Sequence, residues 1–217
     1  MTPVRRIHVE SQVNLAGSGG AAVWSFDLDR WGVCEQAGST WEAVAVWRQR
    51  HGPAQVVEYL PGDERAFRRN SAPASDAELD RTLAILAEAR ERSIAILDAL
   101  PDETLDFDDP DRELPVWARW RTIRQTLWHI CDTESRYYLP QTGLPAKERR
   151  DPLRDELLDS HDHVMSVLRS MARDAVHRPD GEIWTATKLL RRLAWHERGE
   201  LAAVNTLLAG WQADGRG

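Results

Sequence analysis

The chain has 217 residues, 42% of them hydrophobic and 29% charged, with a net charge of −7 at neutral pH. That length supports one large domain or two small ones with a real core, and the acidic balance argues against nucleic acid or an anionic membrane as the partner. No apolar run approaches a membrane span and the first residues lack the apolar core of a signal peptide, while Cys34 and Cys131 are too few for a disulfide framework; the expectation is a cytoplasmic protein.

In chain order, Arg6 to Val13 alternates polar and apolar residues, and Ala22 to Leu28 and Trp31 to Gln36 are β-rich runs flanking Asp29-Arg30 that read as a hairpin. Gly17-Ser18-Gly19-Gly20, with no Lys after it, reads as a turn rather than a phosphate loop. A helix is predicted from Ser39 or Thr40, where a hydroxyl can cap it, to His51-Gly52-Pro53. Gln55 to Leu60 is a fourth strand. The order β-β-β-α-β defines a small α+β module over residues 1–62.

Pro61 to Ser75 carries charge, Gly62 and Pro73 without an apolar period and reads as a linker, which is set at residues 63–75 between the two modules. Beyond it the helical period dominates. Helices are predicted over Asp76 to Leu100, Trp117 to Leu139, Pro152 to Asp174 and Ala186 to Trp211, with an acidic, solvated loop from Asp102 to Pro115. Four helices of this length joined by loops specify a four-helix bundle over residues 76–217, so the fold class is an α+β chain of two modules, mostly α.

The last helix holds the clearest chemical signal. Its apolar stripe runs Leu189, Leu193, His196, Glu200, Val204, Leu207, Trp211, so an imidazole and a carboxylate one turn apart stand where leucines are expected. Burying both is costly unless something compensates them, and a divalent cation compensates the two together. On the second helix His129 lies at the margin of the apolar face near Thr126, Thr133 and Tyr137. Ligands in bundles project inward from facing helices, so His129, His196 and Glu200 form a candidate facial set for Zn, Ni, Fe or Mn.

Bland readings compete with this one. His129 could be a hydrogen-bonded structural residue, and Glu200 could pair with Arg192, Arg198 or Arg124. His161 interrupts the stripe Leu157, Val164, Leu168, Met171 and is open to three roles: fourth ligand, support behind the ligands, or core histidine. Thr133 and Tyr137 are candidates for orienting a ligand or substrate by helix-face geometry. His163 faces the other way, and His8, His51 and His177 are given no role.

The second module resembles the DinB-like superfamily of four-helix bundles, which includes bacterial thiol-dependent transferases and isomerases. The resemblance rests on Thr122-Ile123-Arg124-Gln125-Thr126-Leu127-Trp128-His129-Ile130 with Glu134 and Tyr137-Tyr138, and on Leu190-Arg191-Arg192-Leu193-Ala194-Trp195-His196-Glu197-Arg198-Gly199-Glu200, within about residues 75–213. It implies one divalent metal held by a second-helix histidine and two residues four apart on the last helix, which map onto His129, His196 and Glu200. Many members carry a third histidine where this chain has Glu200.

The first module is similar to HicB-like domains through Trp24 to Leu28, Gly32-Val33-Cys34 and Gly38 to Val44, which implies a partner-binding or regulatory unit. The functional expectation is a metal-dependent thiol S-transferase or isomerase acting on a small molecule, with a low-molecular-weight thiol as the specific guess and a homodimer as a reasonable state. The alternative is a non-catalytic binding or stress-response scaffold whose first module recruits a protein.

Overall fold

The structure, a computed structural model, describes residues 4–15, 18–62, 65–110, 112–114 and 118–213. The chain is a mixed α+β protein, 57% helical, with a small N-terminal sheet. Four strands, β1 (Arg5–Leu15), β2 (Ser18–Ser25), β3 (Cys34–Ala37) and β4 (Ala54–Pro61), lie in the order β3-β2-β1-β4. β2 pairs antiparallel with both β1 and β3, and β4 returns parallel to β1 through helix α1 (Thr40–His51), because a parallel neighbour needs a crossover. The strand–strand–strand–helix–strand order matches the sequence pattern, and Ser39 caps α1 by accepting from the Glu42 amide. The Gly-Ser-Gly-Gly turn is shorter than expected: Gly17 lies outside the described residues, and Gly19 and Gly20 are already strand residues opposite Asn14 and Val13.

The stretch expected as a linker is packed down where it is described. Phe67 and Asn70 are fully buried, and Phe67 stacks edge-on to His8 and Phe26. Helix α2 (Asp76–Ala99) then starts with a reciprocal cap between Ser75 and Glu78. A one-turn helix α3 (Asp102–Leu105) precedes the acidic loop. That loop is tied rather than free, since Arg124 bonds Asp102 and Asp106 and Arg121 grips Asp108; Asp111 is outside the described residues.

Helix α4 (Ile123–Asp132) begins six residues later than predicted, at a Thr122–Gln125 capping box. Trp117 lies outside the described residues. A π-helical stretch, Thr133–Tyr138, and a short turn, α5 (Leu139–Gln141), continue it. Helix α6 covers Leu153–Ser170, four residues short of the predicted end, and α7 covers Ala186–Ala213. Between them a two-residue hairpin pairs β5 (Val176–His177) with β6 (Trp184–Thr185). Both α2 and α4 pack on α6 and α7.

The sheet is seated on α7. Buried Arg192 pairs with buried Glu10 at 3.2 Å, Trp24 donates to the same carboxylate at 3.0 Å, and the Trp24 and Trp195 rings meet edge to face at 5.5 Å. Trp31 is buried among the helices and donates to Thr82 at 2.8 Å. No helix among the described residues is long and apolar enough to cross a membrane.

Candidate metal centre

Helix geometry carries the first half of the site. His196 and Glu200 are one turn apart on α7, as their place in the leucine stripe requires, and α4 brings His129 opposite them. Nε2 of His196 lies 3.1 Å from Nε2 of His129, and Oε1 of Glu200 lies 3.7 Å from each of those nitrogens. The circle through three atoms with those sides has a radius of about 2.0 Å. Imidazole and carboxylate ligands sit roughly 2.0–2.2 Å from zinc. The three atoms are therefore spaced as ligands of one ion, and among the described residues this is the cluster of that kind.

The electrostatics fit a cation. Burial pushes the His129 imidazole down to about 4, and burial together with His129 pushes His196 well below its usual value. Both rings are thus neutral at physiological pH and offer a lone pair. Burial raises the Glu200 carboxyl to about 7, against the opposing pull of the Arg112 guanidinium and a hydrogen bond from Trp120. His196 is 5% exposed, and its Nδ1 has no hydrogen-bond partner among the described residues. A cation bound at Nε2 would leave the ring proton on Nδ1.

Two residues behind the ligands complete the arrangement. Thr133 Oγ1 sits 3.2 Å from His129 Nδ1 and 3.4 Å from Nε2. With the Nδ1 hydrogen donated to that hydroxyl, Nε2 presents its lone pair toward His196. The sequence reading missed Trp120. Its ring stacks on His129 with centroids 3.4 Å apart and planes 11° from parallel, and its side chain bonds Glu200. Arg112 fixes this tryptophan by donating to the Trp120 and Arg121 carbonyls at 3.2 and 2.8 Å. The one signal available was an aromatic residue just ahead of the Thr122 cap.

The other candidates fall elsewhere. Tyr137 is 45% exposed and packs on Tyr138 and Trp184; it is Tyr138, buried, whose ring meets His196 at 5.8 Å and 89°. The π-helical stretch causes this shift, because its wider turn moves the inward face by one residue. His161 is not in the cluster of three and lies within the field of Arg90. Glu200 pairs with none of the arginines expected as alternatives: Arg192 holds Glu10, Arg124 holds the acidic loop, and Arg198 is exposed beside Arg81 and Glu88. His8, His51, His163 and His177 bond Glu58, Glu35, Pro145 O and Gln141 O respectively.

Beneath the site lies a buried ionic hub that the sequence reading did not anticipate. Arg90, 2% exposed, donates to Glu134 at 2.7 Å, Leu157 O at 2.6 Å, Ser160 at 3.1 Å and Glu197 at 3.4 Å. Burial and the neighbouring Glu197 carboxylate raise the Glu134 carboxyl well above its usual range. A single guanidinium between two buried carboxyls is best matched when the pair shares one proton, so that one positive charge faces one net negative charge.

A comparison with curated proteins found no match. A family model for the DinB superfamily matches residues 85–202, from the third turn of α2 through the His196–Glu200 turn of α7. The match stops short of the N-terminal sheet and takes in all three candidate ligands. With more than half of its length so matched, this chain belongs to the DinB superfamily.

Proposed function

We propose that the four long helices form a metal-binding bundle in which His129, His196 and Glu200 hold one divalent cation, and that the protein is a metal-dependent transferase or isomerase acting on a small thiol. The observation that carries this reading is the triangle of Nε2, Nε2 and Oε1 atoms, with sides of 3.1, 3.7 and 3.7 Å, on two neutral imidazoles and a carboxylate. A divalent ion held by three such ligands keeps open coordination and supplies Lewis acidity, lowering the pKa of a thiol or water. The chain's own residues divide the remaining work. Thr133 orients His129, Trp120 covers that ring and holds Glu200, and Tyr138 packs on His196. The thiol preference is carried by the superfamily resemblance and not by the geometry.

One observation favours a second reading. A separation of 3.1 Å is also that of a hydrogen bond between two neutral imidazoles, as a metal-free scaffold whose sheet recruits a protein would have. Elemental analysis of protein purified without a histidine tag separates the two. The metal reading expects close to one divalent ion per chain, lost in His196→Ala, and a melting temperature lowered by chelation, because a ligand bound only to the folded state stabilises it. A metal-free protein whose melt ignores both chelator and added metal would establish the scaffold instead.

A further inference from the structure

Beside His129 the surface opens into a broad, shallow depression of about 360 Å³. Its apolar wall is made by Trp120 and Trp128, and Arg119 and Arg149 supply positive charge. The Arg149 guanidinium lies 3.5 Å over the Trp128 ring, an arrangement that satisfies its face and none of its N–H donors. Arg119 is exposed and has no ion pair among the described residues. The one carboxylate in the lining, Asp132, is engaged by Arg136 at 2.7 Å and reaches Arg149 only at 4.0 Å. Two guanidiniums with unused donors thus face a depression with an aromatic wall, on a chain whose net charge of −7 would by itself repel anions.

We infer that this depression is a carboxylate subsite: Arg119 and Arg149 grip the anionic end of a small ligand whose apolar part lies against Trp120 and Trp128. Guanidiniums suit this task because their fork of donors matches a carboxylate's two oxygens. The inference rests on the metal reading for the ligand's reactive end, where it narrows the thiol to one bearing a carboxylate. Its anionic end stands independently of any metal.

The test uses the full chain, both as purified and after chelation, titrated with benzoate and with its neutral counterpart benzamide while the indole N–H signals of Trp120 and Trp128 are followed by NMR. Benzoate is expected to bind at least tenfold more tightly in both preparations. The preference should vanish in the Arg119→Gln, Arg149→Gln double variant and persist in part in Arg149→Lys. Both arginines are exposed, so folding is not at stake, and circular dichroism checks it. Equal binding of the two probes, no binding of either, or a preference that survives the double variant overturns the inference. His196→Ala keeps both arginines and should keep the benzoate preference. A chain that binds no metal yet prefers benzoate would refute the metal reading alone.

Discussion

Replacing Arg90 with Met removes the cation from a site that is 2% exposed and leaves Glu134 and Glu197, both at most 1% exposed, facing each other without it. The methionine fills most of the volume, so the cost is electrostatic rather than a cavity. Breaking a buried pair by deleting one partner costs about 3–5 kcal/mol, and the lost donors to Leu157 O and Ser160 act in the same direction. In a domain of this size each kcal/mol lowers the melting temperature by roughly 2–4 °C, so a drop of about 6–20 °C is expected by calorimetry, with a matching shift of the urea midpoint. Glu134→Gln is the control, because an amide reproduces a protonated carboxyl. It should cost less than about 1 kcal/mol. The sign with pH follows from the raised Glu134 carboxyl. The folded state keeps a proton that the unfolded chain releases above the ordinary carboxylate range, so the wild type loses stability as pH rises there and Glu134→Gln does not. An Arg90→Met loss below about 1 kcal/mol, or a Glu134→Gln variant as unstable as Arg90→Met, would refute this picture of one cation facing one net charge.

Gly32 has φ of +75°, and a Cβ there would lie 2.7 Å from the Ala194 backbone. Gly32→Ala should therefore cost about 2–4 kcal/mol in urea unfolding by prising β3's approach off α7; a neutral result would mean the sheet is not seated this tightly. Burial and the Arg90 charge hold His161 down to about 4 against an ordinary 6.5, so its neutral form stabilises the fold above pH 6.5 and that stabilisation is lost as pH falls toward 4. Allowing for its partial exposure, the loss is about 1–2 kcal/mol, and His161→Gln should flatten the dependence; an unchanged profile would place the ring in solvent. Trp120→Phe keeps the stack on His129 and deletes the bond to Glu200, and should weaken zinc binding by about tenfold in a competitive chelator titration, with Trp120→Ala weaker still. Equal affinities in all three proteins would remove Trp120 from the site.

The legible parts of this fold were those written as period. Alternation in the first sixty residues, and leucines at steps of three and four afterwards, place the strands and long helices close to where they lie, the start of α4 excepted, and the same stripe shows His196 and Glu200 as intruders on a core face. What escaped depends on contacts between distant segments. Trp120 precedes its helix and is fixed by Arg112 from the acidic loop, eight residues away in sequence. Tyr138 replaces Tyr137 because the π turn shifts the register, and no local pattern announced that turn. Arg90 occupies the position left open between Leu86 and Ile94 on the apolar face of α2; a polar residue there was the available signal, but its partners on α4 and α7 could not be paired from spacing alone.

X-ray absorption on the zinc- or cobalt-loaded full chain reads the ligands of the bound ion directly. Two imidazole nitrogens and a carboxylate oxygen are expected at roughly 2.0–2.2 Å, with one imidazole lost in each of His129→Ala and His196→Ala. A shell built from water or thiolate, or one that neither substitution alters, would contradict this ligand set.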